Sequence, residues 1–391
     1  MLPPLCKLLT KTSRSGWLIG VIPFLLLFIF GCGTKEPTLP IEESALSVNG
    51  STRTLKKSAI VPTLDTPIPE KSSAIWSSAF EFAWSRYQSK FFPHGGLSVE
   101  GTNASRIPSL PFEELRASVP KNAYATLVKH GGSGAITEGD PGLLKLLLAE
   151  EARLGGGETN QNVVSAIVEG FCVFTHKFHA SSEGMKFRGS SGEGSNVSCF
   201  GLRGGDAEND EKCREQIRVL FGEREFEHSE RLKSFGLDLC TTSEPFQLIV
   251  ARIDRKKTLK EMVDEIEERT AALDANRLGS SFSHNDEFSV PNMHWRLEHH
   301  FEELEGPTHG LRQDNLLVAN LNEASETIQF RLDHSGAHMT ARARETTTAT
   351  YNGPRYFTCD GPYLLILKMR NATVPVFVMW VDNAELMEAH L

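Results

Sequence analysis

Residues Val163 to Phe174 read VVSAIVEGFCVF, a long, β-branched and mostly apolar run. Such a run lacks the strict polar alternation of a strand wet on one face, so it predicts a strand buried on both faces. Two more apolar stretches end the chain, Phe357 to Met369 and Val374 to Val381, with Arg370-Asn371-Ala372-Thr373 as a hairpin turn between them. Further strands are expected at Gly236 to Thr241, Phe246 to Ile253, residues 286 to 291, and the alternating Ile328, Phe330 and Leu332. Helices are expected over 73–90, after serines able to cap, over Leu143 to Leu154, and over 296–304. A fourth starts at Thr258-Leu259-Lys260-Glu261, a capping box, and runs to about Leu273. Strands with interspersed helices and no βαβ rhythm point to an α+β fold rather than a doubly wound sheet. Residues 93–161 are glycine-rich, weakly periodic and the least legible part.

The first residues follow a different logic. Lys7, Lys11 and Arg14 precede an unbroken apolar run from Trp17 to Phe30, followed by Gly31-Cys32-Gly33-Thr34. A bilayer takes about 20 apolar residues, so this shorter run reads as a secretory signal over 1–31 with a cysteine at its cut site. Ile29-Phe30-Gly31-Cys32 resembles the bacterial lipobox, which implies lipid attachment at Cys32 and an exported protein, membrane-anchored or secreted. Residues 32–72, with Pro37, Pro40, Pro62, Pro67 and Pro69, are expected to form a tether to a folded domain over 73–391. The whole chain carries a net charge of −9; losing the three positive and no negative charges of residues 1–31 brings it to −12. That balance argues against nucleic-acid binding through phosphate contacts.

Seven cysteines are present, of which Cys6 leaves with the signal and Cys32 would carry the lipid. Cys172, Cys199, Cys213, Cys240 and Cys359 have no CxxC spacing. Up to two disulfides or a set of buried thiols both fit them, and no pairing is readable from spacing.

Phe357, Asp360, Pro362 and Tyr363, followed by an apolar strand, a polar turn and a last apolar strand, resemble the C-terminal segment of the serpin family of protease inhibitors. Gly336, 26 residues before Pro362, stands close to where serpins have a hinge glycine. EPFQLIVARIDRKKTLKEMVDEI (Glu244 to Ile266), FSVPNMHWRLEHHFEELEG (Phe288 to Gly306) and VVSAIVEGFCVFTHKF (Val163 to Phe178) resemble further blocks in the same order. The resemblance covers about 163–391 and implies a large mixed sheet with smaller sheets and surrounding helices, the N-terminal half being shortened. By the same resemblance, Ser98, Ser165 and Glu326 fall in the region that holds the large sheet closed, Val163 to Phe178 borders its insertion gap, and a monomer without cofactor is expected.

A serpin stores free energy in an exposed loop that, once cut, inserts as a new strand and drags the acyl-linked protease with it. Here that loop would be 337–355. Insertion requires alternate residues to be small or apolar, because successive side chains point to opposite faces. One set reads Ala337, Met339, Ala341, Ala343, Glu345, Thr347, Ala349, and the other His338, Thr340, Arg342, Arg344, Thr346, Thr348, Thr350. The resemblance makes Gly336, Ala337, Met339, Ala341 and Ala343 the hinge, and Thr348, Ala349, Thr350 and Tyr351 the scissile region. Small and aromatic residues there imply an elastase-, subtilisin- or chymotrypsin-like serine protease as target. Glu345 and the arginines favour the alternative, a non-inhibitory protein of the same fold that binds a partner or scaffolds the envelope.

Enzyme readings find little. Gly131-Gly132-Ser133-Gly134 and Gly189-Ser190-Ser191-Gly192 lack nucleophile-elbow spacing. His294, Glu298, His299 and His300 share an expected helix but form neither HExxH nor HxxEH, so no metal is expected. Asp206 to Glu211 lacks the glycine and final carboxylate of a calcium loop and reads as a solvated acidic turn.

Overall fold

The apolar stretches that end the chain form an antiparallel hairpin at the centre of a seven-stranded sheet. The structure is a computed structural model that describes residues 46–93, 97–102, 107–130, 135–153, 162–202, 207–224, 232–276, 281–306, 310–313, 316–336 and 354–390. Its strands begin with β1 (Val48–Ser51), β2 (Ser58–Ile60), β3 (Ser73–Ser77), β4 (Ser98–Val99), β5 (Tyr124–His130), β6 (Ile136–Gly139) and β7 (Asn162–Val168). Then come β8 (His179–Ala180), β9 (Met185–Arg188), β10 (Gly194–Val197), β11 (Cys199–Leu202), β12 (Arg218–Arg224), β13 (Leu232–Asp238) and β14 (Phe246–Arg252). The last are β15 (Glu287–Pro291), β16 (Met293–His300), β17 (Gly310–Gln313), β18 (Leu316–Asn320), β19 (Ser325–Leu332), β20 (Tyr356–Thr358), β21 (Tyr363–Met369) and β22 (Phe377–Val381). The helices are α1 (Ser78–Phe91), α2 (Phe112–Ala117), α3 (Pro141–Arg153), α4 (Ala207–Glu215) and α5 (Leu259–Asn276).

The fold is α+β. Its large sheet runs β12-β13-β14-β21-β22-β3-β2 and is mixed, since β2 and β3 pair parallel while the other neighbours pair antiparallel. Every residue of β22 and all but Met369 of β21 is buried, so both faces are covered and the sequence shows a continuous apolar run. Trp76, Trp380 and Tyr363 fill this centre. Helix α5 packs on this sheet, where Arg269 lies 3.9 Å over the Phe221 ring of β12 and Lys368 of the central β21 pairs with Glu267 at 2.5 Å. The Thr258 hydroxyl caps α5 by accepting from the Glu261 N–H at 3.2 Å.

Four expectations need correction. The tether ends sooner than residue 72, because β1 pairs parallel with β16 and β2 with β3, and Ile60, Val61, Leu64 and Ile68 are buried. Pro62, Pro67 and Pro69 lie outside β1, β2 and β3, where a missing N–H breaks no ladder, and Pro67 makes only an isolated bridge with Thr258. Residues 73–77 begin as a strand rather than a helix, since Ala74, Ile75 and Trp76 are all fully buried. Residues 296–300 continue β16 instead of forming a helix: Met293, Trp295 and Leu297 are buried while Arg296 and Glu298 are exposed, a period of two. The described part of the acidic run, from Ala207 to Glu211, opens α4 instead of forming a turn, with Asp210 buried and bonded to His179 Nε2 at 2.7 Å.

Candidate functional site: a strand gap over one helix

Two three-stranded sheets rest on α1. One is β6-β5-β7, the other β1-β16-β19. The first turn of α1 is tied to β19, because the Ser77 hydroxyl donates to Glu326. Its next turns reach the other sheet, with the Phe82 ring 5.4 Å from that of Tyr124 on β5 and Arg86 at 3.0 Å from Glu138 on β6. Among the described residues, the outer edges of β7 and β19 pair with no strand. Unpaired edges are places where a further strand can add.

The two edges come together only past their C-terminal ends. Phe174 N–H donates to Ser335 O at 3.4 Å, and Phe178 N–H to His334 O at 2.9 Å. The chain leaving β19 reverses over Asp333 to Gly336, where Gly336 N–H donates to Asp333 O at 3.0 Å and Ser335 N–H to the Asp333 carboxylate at 2.7 Å. After that reversal Gly336 pairs antiparallel with Val173, the continuation of β7. Residue 336 therefore stands between the continuations of both strands, running against each.

Glycine is needed there for two reasons. Its φ is +96°, and a Cβ would lie 2.5 Å from Phe174 N and 2.9 Å from Cys172 O. Gly336→Ala is expected to destabilise the protein by about 1–3 kcal/mol. Gly306, at φ +90° with open space around its Cβ position, is the control for conformational strain alone. Urea unfolding should show the larger loss at 336; equal losses would remove the close approach to β7 from the account.

The far side of the segment that follows is anchored as well. Arg355 donates from Nε and its terminal nitrogen to Asp286 at 3.1 and 2.5 Å, and its backbone N–H donates to the same carboxylate at 3.0 Å. Asp286 is fully buried and also accepts from Ser283 N–H at 2.6 Å. Beyond Arg355, β20 pairs parallel with β15. Ala337, Met339, Ala341, Ala343 and the scissile region Thr348, Ala349, Thr350 and Tyr351 lie outside the described residues, as does Cys32.

The three residues assigned to the sheet-closing region are not brought together. Glu326 is buried in β19 opposite His299, and Ser165 lies midway along β7 opposite Leu127. Ser98 is exposed on β4, and its hydroxyl donates to Arg312 O at 3.4 Å. The serine that reaches Glu326 is Ser77, the N-cap of α1.

Glu81, in the first turn of α1, was not singled out in the sequence; its signal is a carboxylate inside the apolar stretch AFEFAW. Burial pushes its pKa up to about 8, with Asp65, Glu326 and Glu114 adding like-charge repulsion against a backbone hydrogen bond from Ser109. Burial likewise raises Glu326 to about 7, against hydrogen bonds from Ser77 and the Phe80 N–H. His299, bonded to Thr52 Oγ1 at 2.7 Å, is lowered to about 4 by burial and by neighbouring His300. The histidines alternate along β16 instead of sharing a helix face.

No protein-family model matches the chain, and no curated protein is similar to it in sequence. Among solved structures it is similar to a thermophilic serpin, tengpin, in the native state, at 11% identity and a TM-score of 0.40 over 84% of this chain and 97% of that one. It is similar to the Manduca sexta serine protease inhibitor serpin-12 at 10% identity and a TM-score of 0.39, covering 80% and 99% of the two chains. For thyroxine-binding globulin in complex with thyroxine the values are 13%, 0.36, 61% and 64%. Scores this low transfer neither residue roles nor activity. What the described residues offer is two strand edges on one helix with no strand paired to them and a glycine turn that enters between their continuations.

Proposed function

We propose that this is an exported, serpin-like protein that traps an elastase-, subtilisin- or chymotrypsin-like serine protease by inserting residues 337–350 of the loop 337–355 between β7 and β19. The carrying observation is the reversal at Gly336, which directs the chain antiparallel to Val173. An inserted strand would run against both β7 and β19 and supply hydrogen bonds to both open edges. The alternation from Ala337 to Thr350 supports this, because one set of side chains is small or apolar apart from Glu345. The signal over 1–31 and Cys32 would hold the protein at a membrane surface, where its partner is an extracellular or envelope protease.

A second reading keeps the fold and drops the trap. It is favoured by Glu345, whose carboxylate would cost several kcal/mol if buried unpaired in the inserted strand. Incubation with elastase, subtilisin and chymotrypsin, followed by denaturing electrophoresis, tests both. The trap predicts a detergent-stable complex and a rise in thermal midpoint of the cleaved chain. Cleavage near Thr350 with neither would leave the non-inhibitory, partner-binding reading.

A further inference from the structure

The mouth of the strand gap holds two cysteines that come from distant parts of the chain. Cys172 Sγ and Cys240 Sγ lie 3.2 Å apart, and both residues are fully buried. Cys172 immediately precedes Val173, the residue that pairs with Gly336. Cys240 sits in the turn between β13 and β14 of the seven-stranded sheet. It is firmly held: its N–H donates to Asp238 at 3.1 Å, its carbonyl accepts from Arg370, and its sulphur accepts from Leu248 N–H at 3.1 Å.

We propose that Cys172 and Cys240 form a disulfide bond that staples the mouth of the gap to the large sheet. A movement of about 1 Å brings the sulphurs to the bond length of about 2.05 Å. The segment around Cys172 already rests on that sheet, with the Phe171 ring 6.0 Å from Phe246 and Gly170 against the side chains of Leu367 and Val376. The bond leaves this border of the gap fixed, so that opening is carried by the β19 side.

Two S–H bonds break and one S–S bond forms, and the two electrons and two protons pass to the disulfide of an exchange partner, which leaves as two thiols. In the folded chain burial pushes the Cys240 thiol well up, so the reactive thiolate is not available. Exchange therefore belongs to folding, before the β13–β14 hairpin closes over Cys172. The bond in the cell rests on the export reading, since a reducing compartment keeps such pairs as thiols.

The test refolds the full chain from the reduced, denatured state in a glutathione redox buffer. Free thiols are then alkylated in denaturant and the peptides mapped by mass. The expected result is a peptide pair linked through Cys172 and Cys240, with Cys199, Cys213 and Cys359 alkylated. Refolded wild type should lose about 5–10 °C in thermal midpoint when unfolded with reductant present. The Cys172→Ala/Cys240→Ala variant should be insensitive to reductant, whereas Cys199→Ala should behave as wild type. Alkylation of both cysteines after refolding, or a different linkage, overturns the pairing. A bond that forms on refolding but is missing from chain recovered from cells supports the pairing and overturns export to an oxidising compartment.

Discussion

Asp286→Ala is expected to lower the unfolding free energy by about 3–5 kcal/mol, the loss typical of breaking a buried ion pair from one side. Its carboxylate is fully buried and accepts from the side chain and backbone of Arg355 and from Ser283 N–H. Without it, the Arg355 guanidinium, whose side chain is about one-fifth exposed, loses its main acceptor. Arg355 also lies 5.3 Å over the Phe357 ring, so its displacement would loosen β20. Urea unfolding of Asp286→Ala, Arg355→Met and the double variant measures the coupling. The double variant should lose clearly less than the sum of the two single losses, because neither partner is then left buried alone. Strict additivity would show that the pair does not act as a unit. Since Arg355 anchors the chain after residue 353, the variant should also lose any detergent-stable protease complex while remaining cleavable.

The second large effect is a loss of stability with rising pH. Glu81 and Glu326 keep their protons in the folded chain up to about pH 8 and 7, against 4.5 for the unperturbed group. Between about pH 4.5 and 8 the folded chain therefore binds more protons than the unfolded one, and the stability present at low pH is lost as the pH rises through that window. The loss is on the order of 2 kcal/mol for each carboxyl, because one pKa unit corresponds to about 1.4 kcal/mol and buried sites relax. His299, lowered to about 4 from its ordinary 6.5, stays neutral in the folded chain but is protonated in the unfolded one below about pH 6.5, so it offsets part of the carboxyls' decline there and the full decline falls above that pH. Urea unfolding from pH 5 to 9 should show the decline for wild type. Glu326→Gln and Glu81→Gln should each flatten it and raise stability at pH 9. An unchanged slope in both variants would exclude these carboxyls as its source. Because Glu326 joins β19 to the N-cap of α1, deprotonation would act on the strand that borders the gap.

The elements that were legible in the sequence share one property: their burial pattern is written in neighbouring residues. Continuous apolar runs marked β14, β21 and β22, alternation marked β19, and helical spacing with a capping threonine marked α5. The run from Val163 also marked a strand, but β7 ends at Val168 and is a half-buried edge strand rather than one buried on both faces. Where local pattern misled, a distant contact had decided. The segment after residue 45 reads as a proline-rich tether, yet β1 and β2 are added to strands whose own open edges receive them. The end of β16 looks helical in its charges, but eight cross-strand pairs with β19 hold it extended.

For the candidate site, the sequence singled out Gly336 and Glu326 through the serpin resemblance and contains the alternating segment that follows. Only the tertiary structure decided what these residues meet. Ser77 rather than Ser98 reaches Glu326, from 249 positions away. Glu81 comes to lie in the same buried region, and Cys172 finds Cys240 across 68 positions. The physical reason is that periodicity records which side of an element is buried, whereas the partner across a strand edge or beneath a helix is selected by packing of the whole chain.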